Sequence, residues 1–264
     1  MKGIILAGGE GTRLHPLTKV TSKQLLPIYD QPMIYYPLST LLKAGIRDIL
    51  IIVSPGRSGD FLNLLGSGKE FGARFTYEIQ DKAEGIAQAI LIGEDFIDGE
   101  SCALILGDNI FTDDFSGVIN SFKSGAKIFV KKVPDAKRFG VVEMDSKNRI
   151  LSLEEKPANP KSDFAQTGFY LYDPSVVARA KSLKPSGRKE LEITDLNKTY
   201  LEEDKLQAEI VEGEWIDAGT FESLYKASTI IRRHKLGFHG EKESLKVIIR
   251  GQAAVKASET VFVD

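Results

Sequence analysis

Three glycines, an arginine and a lysine near the start of the chain are spaced to hold phosphate. Residues 4–14 read Ile-Ile-Leu-Ala-Gly-Gly-Glu-Gly-Thr-Arg-Leu, a short apolar run that passes directly into a glycine-rich loop. Gly8, Gly9 and Gly11 have no side chain to hold off a ligand, so their N–H groups can approach phosphate oxygens closely. Arg13 adds a planar fork that suits phosphate and keeps its charge at working pH. Lys23 follows within the run Ser22-Lys23-Gln24-Leu25-Leu26-Pro27. The common phosphate loops do not fit. Gly-x-x-x-x-Gly-Lys-[Ser/Thr] is absent, and Leu14 stands where a dinucleotide fingerprint needs its third glycine. A tight strand-to-helix turn explains the glycines equally well; the two cations tilt the reading towards a triphosphate.

Two aspartates sit where strands should end. Asp108 follows the apolar run Ala103–Leu106 through Gly107, and Asp217 follows Trp215-Ile216 and precedes Ala218-Gly219-Thr220. Hard carboxylate oxygens near a triphosphate suit Mg²⁺, which takes one or two carboxylates and completes its shell with phosphate and water. Each aspartate alone serves more simply as a helix cap or turn residue. The metal reading requires both to meet Arg13 in space. Gln80 closes a candidate strand with an amide that can donate and accept, which suits a nucleobase edge as well as a strand end. Lys156, in Leu153-Glu154-Glu155-Lys156-Pro157, stands where a strand meets proline, although a solvated surface lysine is the simpler account of such a residue.

These residues must be positioned by regular elements, and the first half alternates strand and helix signals. Apolar runs predict strands over 2–7, 49–53 and 102–107, with Ile128–Val130 in a further one. Phe75, Tyr77 and Ile79 alternate with polar residues as in a half-buried strand. Helices are predicted over 32–44, opened by Pro32 and closed by Gly45, over a short piece ending at Gly66, and around Ala87–Leu91. This rhythm implies an α/β fold: a Rossmann-like, mainly parallel sheet with helices on both faces, whose ligands bind beyond the carboxyl ends of the strands. The second half changes character. Two strand-like pieces within 139–156 flank the turn Asp145–Asn148, and Phe169–Tyr172 and 206–212 read as strands. Helices are expected near 175–181, 193–203 and 220–236. Val247–Ile249 and Val261–Val263 have β character without an evident role. One continuous domain with a β-rich substrate lobe inserted in its second half accounts for this pattern.

Composition narrows the class. The chain has 264 residues, 42% hydrophobic, enough for a sizeable core. Its net charge of -2 gives no electrostatic case for a nucleic-acid partner. The one cysteine, Cys102, lies in an apolar run and is expected to be buried, which points to a reducing, cytoplasmic setting. No apolar run is long enough to cross a membrane, and the start of the chain passes directly into a strand with no separable signal peptide. His15, His234 and His239 form no metal-ligand cluster in the sequence.

The combination of stretches resembles the sugar-1-phosphate nucleotidyltransferases, in their glucose-1-phosphate thymidylyltransferase branch. The matching stretches are Leu6–Leu14, Ser22–Pro27, Pro32–Pro37, Leu106–Phe111, Leu153–Pro157, Glu190–Asp195 and Trp215–Thr220. The resemblance implies formation of dTDP-glucose and pyrophosphate from dTTP and glucose 1-phosphate with Mg²⁺ as cofactor. It implies that Arg13, Lys23 and Asp108 are catalytic and that Asp108 and Asp217 hold the metal. Leu6, Ala7, Gly8, Gly9, Gly11, Thr12, Arg13, Gln80 and Gly85 would bind the nucleotide. Asn109, Gly140, Glu155, Lys156 and Thr167 would bind the sugar phosphate, with Glu155 on sugar hydroxyls and Lys156 on phosphate. In domain terms it implies a nucleotidyltransferase domain over 1–240, its nucleotide part about 1–132 and 206–225, its sugar lobe about 133–205, and a tail over 241–264 of unassigned role.

Two departures stand out. Phe139 occupies a position where many relatives carry tyrosine, and the stretch after about residue 240 does not match the helical extension of longer relatives, so the chain resembles the short form. That extension is associated with tetramers and product feedback, which leaves a homo-oligomer possible but unassigned. UTP in place of dTTP is an open alternative, because thymine and uracil differ by one methyl. A catalytically silent nucleotide-sugar-binding subunit is another. It would be expected to lack one of Arg13, Lys23, Asp108 and Asp217, and all four are present.

Overall fold

The sequence of apolar runs becomes one mixed sheet in the computed structural model, which describes residues 1–234. In chain order the elements are β1 (Lys2–Ala7), β2 (Pro27–Ile28), β3 (Gln31–Pro32), α1 (Tyr35–Lys43), β4 (Asp48–Val53), α2 (Ser58–Leu65), β5 (Arg74–Ile79), α3 (Gln88–Ile92), α4 (Glu94–Ile97), β6 (Cys102–Leu106) and β7 (Asn109–Phe111). They continue with α5 (Ser116–Ser121), β8 (Ala126–Lys132), β9 (Gly140–Met144), β10 (Ile150–Glu155), β11 (Phe164–Tyr172), α6 (Val176–Ser182), α7 (Ile193–Leu201), β12 (Leu206–Ile210), β13 (Trp215–Asp217) and α8 (Phe221–His234).

β1 is flanked on both sides by parallel partners. Ile5 pairs with Ile51 of β4 and with Ile105 of β6, and β5 extends the parallel run beyond β4. Strands covered on both faces must be apolar on both faces, and β4 meets that demand. Ile49, Ile51 and Val53 enter one core with Leu38, Leu41 and Phe61 of the helices, while Leu50 and Ile52 enter the other with Ile90 and Leu104. Burying each such side chain contributes roughly 1.5–3 kcal/mol. Because these strands run parallel, Ala7, Ile79 and Leu106 all end at one rim, which brings Gly8, Gln80 and Gly107-Asp108 to the same side of the sheet.

Beyond β6 the sheet turns over. β11 runs antiparallel to β6, β8 and β9, while β12 runs parallel to β8. The strand over Ile128–Val130 is therefore not a direct parallel neighbour of β6, as the rhythm of the first half suggested. β11 lies between them, held by Phe169 stacked on Phe129 with centroids 4.4 Å apart. Its register with β8 breaks between Gln166 and Tyr170, a bulge at Thr167-Gly168 beside the rim. β9 and β10 form the expected hairpin, its turn closed by the Asp145 carboxylate on the Lys147 and Arg149 amides.

Helix α1 starts at Tyr35, three residues later than Pro32 suggested, because Pro32 pairs with Pro27 in a hairpin. A third, smaller core explains why. Ile28 and Met33 of the hairpin region pack with Ile110 of β7, Ile216 and Ala218 around β13, and Ala227, Ile230 and Ile231 of α8. This cluster clamps β13 onto β7. The apolar pieces at Val247–Ile249 and Val261–Val263, and His239, lie outside the described residues.

Candidate active site

The β7–β13 ladder brings the two aspartates together. Asp217 pairs with Asn109, and the Ala218 amide donates to the Asp108 carbonyl at 2.9 Å. Their carboxyls interact directly. Burial, then the negative charge of Asp108, pushes the Asp217 carboxyl up to about 6, while Lys23 and Arg13 pull against that rise. Asp108 moves the other way. Burial raises it, but the Lys23 ammonium, which donates to its carboxylate, together with hydrogen bonds from Asn109 and Asp217, outweighs burial and holds it below the ordinary carboxylate range.

Asn109 fixes the orientation of Asp108. Its Oδ1 accepts from the Gly168 amide at 2.8 Å and the Trp215 indole N–H at 2.6 Å, two groups that can only donate. Its Nδ2 is thereby turned to Asp108 Oδ1 at 3.1 Å. Gly168 is required there, since a Cβ would stand 2.7 Å from Asn109 Oδ1. Arg13 reaches the same place from the N-terminal loop. A Cβ on Gly219 would lie 2.8 Å from Arg13 Nη2 and 3.2 Å from Asp217 Oδ1, so the bare backbone of Gly219 makes room for the guanidinium beside the carboxylate.

The glycine loop lies directly past β1. Gly9 and Gly11 have φ of 97° and 62°, the left-handed region that glycine enters without strain. Gly11 opens a 3₁₀ turn over Thr12–Leu14 that carries Arg13, and its carbonyl accepts from Thr18 Oγ1 at 2.8 Å. Leu6 and Ala7 close β1. Gly8 lies against Gln80, since a Cβ there would meet Gln80 Oε1 at 2.2 Å. Gly85 has φ of 106° and packs on the backbone of Leu191, whose amide donates to Glu84 O at 2.7 Å.

Next to the aspartates opens a cavity of about 270 Å³. Arg13, Asp108, Asn109, Gly140, Glu155, Lys156, Thr167 and Asp217 all line it, so the residues expected for metal and sugar phosphate share one wall. Lys23 joins them through Asp108. Gly8, Gly9, Gly11, Thr12, Gln80 and Gly85 do not line this cavity and form a separate group at the same rim. Gly140 must lack a side chain, because a Cβ would meet Gln166 Nε2 at 2.2 Å. Lys156 adopts φ of 44°, a strained conformation for a residue with a side chain, and its amide donates to Phe139 O at 3.0 Å. Thr167 is buried at the bulge and donates to Phe129 O at 2.9 Å. Phe139 sets its ring edge against Trp215, centroids 5.1 Å apart.

Several residues of this wall went unassigned in the sequence. Arg188 donates to Glu155 at 3.0 Å and to both carboxylate oxygens of Glu192, and Thr194 donates to Glu155 Oε2. Gln166 joins Thr194 to Asn197. The stretch Glu190–Asp195 carried the signal, with an acid on each side of an apolar residue after a basic pair, but spacing gave no partner for it.

Comparison with known proteins decides the family. The nucleotidyl transferase profile matches residues 2–234. The chain belongs to the nucleotidyl transferase family. A glucose-1-phosphate thymidylyltransferase of Neisseria meningitidis is 51% identical over 238 residues, covering 88% of this chain and 83% of the relative. One from Mycolicibacterium smegmatis is 49% identical over 252 residues, covering 94% and 86%. Among solved structures, a Bacillus anthracis chain described as a glucose-1-phosphate thymidylyltransferase, in complex with sucrose, superposes with a TM-score of 0.84 at 50% identity, covering 88% of this chain and 95% of that one. A UDP-glucose pyrophosphorylase complexed with UDP-glucose gives 0.77 at 25% identity, covering 88% and 98%.

Proposed function

We propose that this chain joins dTTP to glucose 1-phosphate, forming dTDP-glucose and pyrophosphate. The observation that carries the reading is the meeting of Asp108, Asp217, Lys23 and Arg13 at the edge of a cavity that Glu155 and Lys156 line. The named relatives at about half identity over most of both chains support it.

In the reaction an oxygen of the sugar phosphate attacks the α-phosphorus of the triphosphate in line. The bond to the β-phosphate oxygen breaks, and pyrophosphate leaves with that electron pair. The attacking oxygen is ionised near neutral pH, so no general base is needed. Repulsion between two polyanions is the obstacle, and fixed cations with an aligned approach remove it. Arg13 and Lys23 neutralise the transferring and leaving phosphates, Lys156 holds the sugar phosphate, and Glu155 takes the sugar hydroxyls. Thr167, Gly140 and Asn109 shape the sugar-phosphate wall. The glycine loop from Leu6 to Thr12 cradles the triphosphate, and Gln80 with Gly85 holds the base. On this reading about residues 133–205 form the sugar-binding lobe of a domain whose nucleotide part takes up about 1–132 and 206–225.

The paired carboxylates fit a divalent cation. Both are hard oxygen donors, and burial, then the charge of Asp108, raises the Asp217 carboxyl, a repulsion that a cation between the two would relieve. On this reading the remaining ligands would be phosphate oxygens and water, the preference of Mg²⁺. When bound there, the cation supplies charge neutralisation to the reacting phosphates.

Pyrophosphate release with glucose 1-phosphate, Mg²⁺ and each of dTTP and UTP tests the proposal. Release is expected with dTTP and is abolished by chelation. The UTP alternative keeps a specific support in the fold of the UDP-glucose pyrophosphorylase, at half the identity of the thymidylyltransferases. The methyl that separates the two bases is worth about 1–3 kcal/mol. Silence with both triphosphates would overturn the reaction itself and favour a silent binding subunit. Neither a cytoplasmic setting nor an oligomer is needed for this chemistry; among the described residues, no helix is long and apolar enough to cross a membrane.

A further inference from the structure

Two amide side chains at the rim have their orientation dictated by groups that leave no choice. Gln88 Oε1 lies 3.1 Å from the backbone N–H of Glu84, which can only donate. Gln88 Nε2 lies 3.1 Å from the Glu84 carboxylate, which as an anion can only accept. The Gln88 amide therefore has its oxygen turned towards Gln80. The Gln80 atom 2.7 Å from that oxygen must be the NH₂. It follows that Gln80 Oε1 faces the other way, over Gly8, where a Cβ would stand only 2.2 Å from it. Gln80 is 5% exposed, too confined for free rotation of its amide. Among the described residues the hydrogen bond of the Gln80 side chain runs through its Nε2, to Gln88, and leaves this oxygen to a ligand.

We infer that Gln88, oriented by Glu84, is a positioning residue that locks Gln80 as a hydrogen-bond acceptor towards the nucleobase and so selects bases with an N–H at ring position 3. Thymine and uracil present N3–H between two carbonyls. Cytosine presents a bare N3 lone pair at the same place, and an acceptor facing an acceptor leaves both unpaired. Sites that hydrogen-bond a substrate N–H reject analogues lacking it by about 10⁴-fold. A free Gln80 amide could turn to suit either base; the relay from Glu84 through Gln88 removes that freedom. The inference rests on the reading above that Gln80 touches the base.

The test measures kcat and KM for dTTP and dCTP with glucose 1-phosphate in four full-length proteins: the unaltered chain, Gln80→Ala, Gln88→Leu, and the pair Glu84→Gln with Gln88→Glu. Gln88→Leu is expected to lower the dTTP-to-dCTP ratio of kcat/KM by at least about tenfold, through KM for dTTP, with saturated kcat changed less than about twofold. The paired exchange puts a carboxylate at 88 that accepts from the 84 amide, the new 84 side chain and Gln80, so it should return the ratio to within about threefold of the unaltered chain. A ratio unchanged by Gln88→Leu, while Gln80→Ala raises KM for dTTP, would overturn the relay and leave the base contact standing. Paired-exchange protein that discriminates no better than Gln88→Leu would also overturn it, by showing that packing at 88 is what matters. Unchanged KM for dTTP in Gln80→Ala would remove the base contact itself, and the relay with it.

Discussion

Asp217 stands beside Asp108 because their strands are paired, with the Ala218 amide on the Asp108 carbonyl at 2.9 Å. More than a hundred residues of chain separate these acids, yet their meeting depends on three rungs between β7 and β13 and on the small core that clamps them. The juxtaposition is thus a property of the backbone ladder, and side-chain replacements at the site can be read without expecting the ladder to move.

Asp108→Asn and Arg13→Ala should each lower turnover at least about a hundredfold, since a positioned charge at a transferring phosphate is worth roughly 3–4 kcal/mol. Pyrophosphate release under saturating substrates measures this, with circular dichroism as the control for folding. Near-normal turnover in either protein would contradict the assigned roles.

Gly219→Ala should act through Arg13. Its Cβ would stand 2.8 Å from the guanidinium, and the flexible end of that side chain must yield. Turnover is expected to fall about tenfold, and the combination with Arg13→Ala should be no worse than Arg13→Ala alone, because both remove the same interaction. Additive losses would show that Gly219 matters for some other reason.

Asn109→Leu should destabilise the fold as well as the reaction. It leaves the buried Trp215 indole N–H and Gly168 amide without their acceptor, at about 1–3 kcal/mol for each stranded group. Denaturant midpoints report the stability loss. A midpoint equal to that of the unaltered chain would mean that water or a repacked neighbour replaces Asn109 Oδ1.

Asp173 provides a pH-dependent contribution away from the site. Burial pushes its carboxyl up, but the Ser175 hydroxyl and the Gly125, Ser175 and Tyr200 donors outweigh burial and hold it below its ordinary value of 3.8. A carboxyl lowered in the folded state adds stability above its unfolded pKa, and that stability is lost as pH falls through the folded value. Asp173→Asn should therefore cost stability near pH 7 and flatten the loss below about pH 4. Urea midpoints across the acid range check this; parallel curves for the two proteins would remove the attribution.

How much of this was legible in the sequence depends on how local the cause is. The loop at Gly8–Arg13 was readable because glycine and arginine act through backbone geometry and charge that neighbours hardly alter. The hairpin around Asp145–Asn148 was readable for the same reason. Pro32 misled because proline opens helices and also fits a short edge strand, and the choice was made by Ile28 and Met33 finding Ile216 in the third core. The placement of β11 between β6 and β8 was hidden, since an apolar strand does not announce its neighbours; the stack of Phe169 on Phe129 is a tertiary fact. The same holds for the contact of Arg188 with Glu155, which lies far back in the chain on β10. Gln80 was readable as an amide at a strand end, but not the direction in which its oxygen faces.

Gly85 resting on Leu191 has a mechanical consequence. The Leu191 amide and carbonyl are tied to Glu84 and Ala87 on either side of that glycine, so the loop beside Gln80 and the start of α7 are stitched together like facing pages at a spine. A shift of either page is passed to the other, and a side chain at 85 would force the binding apart, since its Cβ would stand 2.3 Å from the Leu191 carbonyl oxygen.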